Sequence, residues 1–232
     1  MNVVITGASR GIGFAVAEAF AEHGHPLILT SFNEFRLYKA VEKLQAVYSG
    51  IEIHAKPCDL SIAQEAQDFG QWCLQFGTPG VLVNNAGVFE PGEIGSEPAG
   101  VLEHQIASNL YSAYHLTRSI LPSMKSKGSG HIFNICSVAS LQAYPAGGAY
   151  SISKHALYGF SRNLRYELKS LGIKVTAVLP GAVNTDSWTD FDNRNHRIME
   201  ASDIAKLVYT FTLLSPAACV EDIVVRPQLG DL

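Results

Sequence analysis

A tyrosine and a lysine stand four residues apart in Tyr150-Ser151-Ile152-Ser153-Lys154. On a helix that spacing puts both side chains on one face, where the charge of one acts on the ionisation of the other. A free phenol, with a pKa of about 10, is a poor proton donor or acceptor at neutral pH, and a neighbouring ammonium draws it toward working range by stabilising the phenolate. The pair thus suits general acid–base chemistry, with Tyr150 exchanging a proton with a substrate oxygen. Such pairs also occur by chance on exposed helices, where they contribute little. Ser137, thirteen residues upstream and just after a strand-like run, adds a third polar group and makes chance a poor explanation.

A second constellation opens the chain. In Thr6-Gly7-Ala8-Ser9-Arg10-Gly11-Ile12-Gly13, three glycines fall where the backbone must turn tightly and come close to a ligand. A helix begun there aims its free N–H groups and the positive end of its dipole at the turn, a ready site for a pyrophosphate. The plain alternative is an ordinary turn with a glycine cap; a strand before it and a helix after it favour the nucleotide.

The elements that must hold these residues alternate. Val3-Val4-Ile5 predicts a strand, and residues 12–23 a helix with Ile12, Val16, Ala19 and Phe20 on one stripe, ended by Gly24. Pro26-Leu27-Ile28-Leu29-Thr30 predicts a second strand, followed by a helix capped by Asn33 that buries Leu37, Val41, Leu44 and Val47. Ile51 and Ile53 begin a third strand, and Val81-Leu82-Val83, Ile132-Phe133-Asn134-Ile135, Val175-Thr176-Ala177-Val178-Leu179 and Ile223-Val224-Val225 are the rest. Seven strands and about six helices, with connections long enough for right-handed crossovers, give an α/β doubly wound, mostly parallel sheet with helices on both faces. Such sheets bind ligands beyond the carboxyl ends of their strands.

Composition bounds the partners. The 232 residues are 47% apolar and 16% charged, enough for one large core, and no repeat or composition shift divides residues 1–232 into two domains. Seventeen Lys+Arg against 21 Asp+Glu leave a net charge of −4, so nucleic acid and anionic membrane are poor partners. The first residues lack a leader pattern and no segment is long and apolar enough to span a bilayer, so a soluble, cytoplasmic protein is expected. Cys58, Cys73, Cys136 and Cys219 form no Cys-x-x-Cys pair and read as reduced thiols, with Cys136 a small core residue. His104, His115 and His155 lack metal-ligand spacing; no metal is expected, and the histidines take surface or half-buried places.

Thr-Gly-x-x-x-Gly-x-Gly near the start of a chain resembles the short-chain dehydrogenase/reductase family. Asn84-Asn85-Ala86-Gly87, Ser108-Asn109-Leu110, Ser137, the Tyr-x-x-x-Lys of Tyr150 and Lys154, and Pro180-Gly181-Ala182-Val183-Asn184-Thr185 follow in the family's order, so the resemblance covers about residues 1–185. It implies a Rossmann domain that uses NAD(P)(H) to interconvert a carbonyl and an alcohol. Tyr150 would be the acid/base, Lys154 would tune it and hold the nicotinamide ribose, Ser137 would orient the substrate oxygen, and Asn109 would anchor a water relay to Lys154. Asn109 reads alternatively as a buried amide satisfying backbone. Cofactor contacts are implied at Gly7, Ser9, Arg10, Gly11, Ile12, Gly13, Ser31, Phe32, Asn33, Asp59, Leu60, Asn85, Ala86, Gly87, Pro180, Gly181, Val183 and Thr185, besides Tyr150 and Lys154.

The end of the second strand selects the dinucleotide, since a carboxylate there repels a 2′-phosphate. Thr30, Ser31, Phe32 and Asn33 offer none, and Arg10 stands before the second glycine, where the family's NADP-dependent members often carry a basic residue. NADP(H) is expected, with NAD(H) accepted; Phe32, where relatives often carry a second arginine, makes the preference modest. Arg10 reads alternatively as a solvated charge, and Asp59 as a cap for a helix starting near Ser61.

The segment at about 184–200 is a short substrate lid, and Phe89, Gln142, Tyr144 and Trp188 should face an open aromatic cleft that takes a planar or bulky small-molecule carbonyl. Trp188 serves equally to pack the lid on the domain. The tail from Val220 to Leu232 and the short lid resemble bacterial sepiapterin reductase-like members, which would make Asp231 a pterin anchor. The alternatives are a 3-oxoacyl-[acyl-carrier-protein] reductase, recognisable by thioester turnover and a basic carrier-docking patch, and a non-catalytic dinucleotide-sensing module, which has no need of Tyr150. By resemblance the chain assembles as a homodimer or homotetramer through the two long helices near residues 101–127 and 150–171.

Overall fold

Short runs of Val, Ile and Leu build the central sheet of the computed structural model, which describes residues 1–188, 191–193 and 195–231. The strands are β1 (Val3–Thr6), β2 (Leu27–Thr30), β3 (Ile53–Ala55), β4 (Val81–Asn84), β5 (Gly130–Ile135), β6 (Ile173–Pro180), β7 (Val183–Asn184), β8 (Met199–Glu200) and β9 (Asp222–Val225). The helices are α1 (Gly11–Glu22), α2 (Glu34–Val47), α3 (Ala63–Leu74), α4 (Val101–Ile106), α5 (Ser112–Lys127), α6 (Gly148–Leu168) and α7 (Ala201–Thr212). Seven strands pair in parallel in the order 3-2-1-4-5-6-9, and β7 and β8 form a separate two-stranded ladder.

Alternate residues of each strand feed opposite faces. Val3, Ile5, Leu27, Leu29, Val83 and Phe133 pack with Val16 and Phe20 of α1 and Ile204 and Val208 of α7. Val4, Ile28, Leu82, Ile132 and Val175 pack with Phe69 of α3, Leu116 and Ile120 of α5 and Leu164 of α6. Strand order reverses beside β1, whose Val3 is in register with both Leu27 and Val81, and the crevice at such a reversal is where a ligand enters.

The doubly wound sheet and its seven strands are as the sequence predicts, with local corrections. β2 starts at Leu27 because Pro26 has no N–H to donate, although its carbonyl accepts from Val3 N at 3.0 Å. β3 starts at Ile53, since Ile51 still belongs to the turn at Gly50 (φ 81°). Val47 is 70% exposed in the last turn of α2; Leu37, Ala40 and Leu44 are buried instead, and Val41 is half-buried. The long middle helix is broken by a π turn, Ala107–Tyr111, which splits it into α4 and α5. Among the described residues no helix is long and apolar enough to cross a membrane.

His131 corrects the expectation that histidines stay at or near the surface. It is buried on β5, shares a 2.8 Å hydrogen bond with Thr176 Oγ1 and stacks on Phe133 at 3.9 Å. Burial, aided by Lys174, holds its pKa down at about 3. Between about pH 6.5 and 3 the unfolded chain therefore binds a proton at this site that the fold refuses. Stability should be flat above pH 6.5 and fall below it by up to about 1.4 kcal/mol per pH unit from this residue. Urea unfolding from pH 7.5 to 4.5 measures that slope, and His131→Gln should flatten it.

Candidate active site

The glycine turn is a packed cradle. Gly7 (φ 62°) and Gly11 (φ 55°) adopt left-handed backbone that favours glycine. Gly13 is needed for space: a Cβ there would lie 2.3 Å from Gly7 O and 2.5 Å from Asn85 Nδ2. Asn85 donates from Nδ2 to Thr6 O (2.9 Å) and Gly7 O (3.2 Å), while Thr6 Oγ1 accepts from the N–H groups of Asn85 (2.9 Å) and Ala86 (2.8 Å). These bonds staple the ends of β1 and β4 to the turn. α1 begins beside it with no side-chain cap and no acidic residue in its first turn, leaving N–H donors and a positive dipole end toward the cleft. The arrangement fits the pyrophosphate of a dinucleotide.

A cleft of about 920 Å³ runs from this turn across the carboxyl ends of the strands. Gly7, Arg10, Gly11, Ile12, Ser31, Phe32, Asn33, Asp59 and Leu60 line the end of the cleft at β1, β2 and β3. Ser9 lies behind the wall, sharing a 2.8 Å hydrogen bond with Ser31 Oγ, and Gly13 and Asn109 also lie behind it. Asn33 Oδ1 is engaged as the cap of α2, accepting from Arg36 N at 2.9 Å. Asp59 Oδ1 accepts from Ser61 N (3.0 Å) and Ser61 Oγ (2.6 Å), so it closes a local turn; α3 starts two residues later, at Ala63, with no side-chain cap. Arg10 forms a half-exposed ion pair with Asp186, and Phe32 is 76% exposed. Arg36 was not marked by the sequence motifs, yet it also lines this end.

At the other end β5 and α6 bring Ser137, Tyr150 and Lys154 to the cleft. Ser137 caps a short 3-10 turn, Val138–Ser140, its Oγ accepting from Ala139 N at 3.1 Å, and it lines the same cleft as Tyr150. Lys154 is buried, donates from Nζ to Ile135 O at 2.9 Å and stands 5.8 Å from the Tyr150 ring centre. Burial lowers its pKa to about 8. The Tyr150 phenol is pushed up from its ordinary value, because burial outweighs the hydrogen bond from Ser137. That corrects the expectation that Lys154 draws it down: in the protein alone the cost of burying a phenolate dominates. Asn109, in the π turn, gives its two N–H donors to Val88 O (3.0 Å) and Ser153 Oγ (2.8 Å), and its Oδ1 accepts from Val88 N (2.7 Å). π turns of this kind recur at functional sites.

Asn85, Ala86, Gly87, Pro180, Gly181, Val183 and Thr185 line the middle of the cleft, and Phe89, Gln142, Tyr144 and Trp188 its outer wall. Phe89 meets Tyr150 edge-on at 4.8 Å, and Trp188 meets Phe191 edge-on at 5.6 Å. Burial pushes the Tyr144 phenol up to about 12. His104, paired with Glu90 at 2.9 Å, is a further lining residue that no motif marked. The segment 184–200 is pinned at both ends by pairing of Val183 with Met199 and of Asn184 with Glu200; Thr189, Asp190 and Arg194 within it, and Leu232 of the tail, lie outside the described residues. Asp231 reaches the cleft beside Gly181, ion-paired with Arg226, while Arg197 donates to Gly230 O (2.9 Å) and Asp231 O (3.0 Å). Cys58, Cys73, Cys136 and Cys219 are all free thiols, Cys136 buried in the core, and the described residues hold no cluster suited to a metal.

Comparison with known proteins agrees with this geometry. Residues 1–196 match the family described as short chain dehydrogenase. A D-beta-hydroxybutyrate dehydrogenase of Rhizobium meliloti is 35% identical over 186 residues, 79% of this chain and 72% of its own. A metagenomic short-chain oxidoreductase solved with NADP superposes with a TM-score of 0.86 at 31% identity, covering 98% of this chain and 97% of that one. An alcohol dehydrogenase from Thermococcus sibiricus, complexed with 5-hydroxy-NADP, gives a TM-score of 0.90 at 28% identity, covering 100% and 98%. The chain belongs to the short-chain dehydrogenase family and is an oxidoreductase of the CH–OH/carbonyl class.

Proposed function

We propose that this chain is an NADP(H)-dependent reductase that converts a ketone or aldehyde to an alcohol, with Tyr150 as the acid. The observation that carries the reading is the convergence of Ser137, Tyr150 and Lys154 on the same cleft as the glycine cradle. When bound, a reduced nicotinamide supplies a hydride to the carbonyl carbon. Tyr150 gives its proton to the carbonyl oxygen, which Ser137 holds by a hydrogen bond. A raised phenol pKa keeps Tyr150 protonated at neutral pH, the form that reduction needs. Lys154 sets a positive charge behind the phenol as it loses its proton and holds a ribose hydroxyl. Asn109 anchors a proton relay toward Lys154, its side chain being held in place by Val88 and Ser153.

Arg10 and Arg36 supply the cations for a 2′-phosphate, and the NADP-bound relatives support that preference. The exposed Arg10–Asp186 pair is worth about 0–1 kcal/mol, so a phosphate displaces it at small cost. NAD(H) is the weaker alternative. A charged hydrogen bond contributes about 1.5–3 kcal/mol, so Arg36→Ala or Arg10→Ala should raise the KM for NADPH roughly 10- to 100-fold. The KM for NADH should stay within about twofold, since it carries no phosphate for either arginine to hold. Initial rates with both cofactors test this.

Phe89, Tyr144 and Trp188 favour a planar or bulky carbonyl such as a diketone or a sepiapterin-like heterocycle over an acyl thioester. A panel of a diketone, sepiapterin, aromatic aldehydes and acetoacetyl thioester tests this; turnover confined to the thioester overturns it. Leu102, Tyr111, Tyr114, Ile152 and Tyr166 are exposed on α4, the π turn, α5 and α6. They support a homodimer or homotetramer built on those helices, working in the cytoplasm as a single domain over residues 1–232. Light scattering gives the assembly state.

A further inference from the structure

α6 carries Tyr150 in its first turn, and its own sequence gives that turn no cap: Gly147 stands at the N-cap without a side-chain bond, and no acidic residue follows. The acceptor comes from far along the chain. Glu97 Oε1 accepts from Ala149 N at 2.8 Å, taking the second N–H of the helix as a local Ser or Asp cap would. The fit is close: a Cβ on Gly148 would lie 2.0 Å from that oxygen and 2.5 Å from Gly92 O, and one on Gly92 would lie 2.6 Å from Glu97 Cγ. Gly92 N donates to Ala146 O at 2.9 Å in an isolated parallel bridge, and Ala146 holds a left-handed backbone (φ 57°) that L residues rarely adopt. The same loop bears Phe89, whose ring meets Tyr150.

We propose that Glu97 is a positioning residue for Tyr150, its carboxylate capping α6 from the 88–100 loop and so fixing both the phenol and the aromatic wall beside it. This rests on the reading of Tyr150 as the acid. Glu97 touches neither end of the proton path; it acts through Ala149, the residue before the tyrosine. Losing the cap should loosen the first turn of α6 and the loop together, lowering kcat while sparing cofactor binding at the distant glycine turn.

Hydrogen exchange of the 144–156 peptide, read on the protein without cofactor, and steady-state kinetics on Glu97→Ala and Glu97→Gln test this together. Glu97→Ala should speed exchange in that peptide and cut kcat roughly tenfold, with the KM for NADPH within about twofold. Glu97→Gln, whose amide oxygen still accepts from Ala149 N, should recover most of both. If Glu97→Ala does not fold, Glu97→Asp takes its place, and its oxygen, drawn back by one methylene, should give the same two changes more weakly. Unchanged exchange, a kcat within about twofold of wild type, or a Gln variant no better than Ala overturns the proposal. Tyr150→Phe separates the two readings: an inactive Phe variant beside an indifferent Glu97→Ala removes Glu97 alone, and a fully active Phe variant removes the acid and its positioning residue together.

Discussion

Tyr150→Phe is expected to lower kcat by about 10²–10⁴-fold, the range a positioned general acid contributes. The fold should not suffer, because the phenylalanine ring still meets Phe89 and only the hydroxyl is lost. NADPH affinity should change little, as the glycine turn at Gly7 and Gly11 lines the other end of the cleft. The pH profile carries the same signature. Tyr150 stays protonated through neutral pH because burial raises its pKa, while Lys154, lowered to about 8, loses its charge first as pH rises. For the free enzyme, kcat/KM for reduction should therefore fall above about pH 8, when the ammonium that steadies the departing phenolate is neutralised.

Gly13→Ala is the second large effect. The added methyl would sit 2.3 Å from a backbone carbonyl and 2.5 Å from an asparagine amide already bound to Thr6 and Gly7, so neither neighbour can yield without opening the turn. Overpacking of this kind costs roughly 1–3 kcal/mol of stability. Because the displaced atoms are the cradle itself, NADPH affinity should fall by at least about tenfold as the N–H groups of α1 lose their aim. Gly95→Ala, where a Cβ meets nothing within 4 Å, is the matched control. Urea denaturation and fluorescence titration with NADPH read the two effects separately.

The sheet was legible because each strand is a short apolar run between turns, and the glycine turn because close approach of backbone to backbone leaves no other residue type there. Ser137, Tyr150 and Lys154 could be found from their spacing and their place after β5. The limits have physical causes. Arg36 has no motif of its own; it lines the cleft because Asn33 caps α2 and sets the helix phase. Asp186 pairs with Arg10 across 176 residues, and Glu97 caps α6 across 52, separations at which local pattern says nothing. The upward shift of Tyr150 could not be read from Tyr-x-x-x-Lys, since spacing reports proximity but not burial. The π turn that presents Asn109 adds one residue to a helical repeat without disturbing composition.

Isotope transfer in a single turnover reads carbonyl reduction with Tyr150 as proton donor. NADPH bearing deuterium at both C4 positions is mixed with excess wild-type or Tyr150→Phe enzyme and the best carbonyl of the panel, and the product is analysed by mass spectrometry. One deuterium is expected on the carbinol carbon with the wild-type enzyme, and almost no product in the same time with Tyr150→Phe. Deuterated alcohol formed as fast by the phenylalanine variant as by wild type would contradict it.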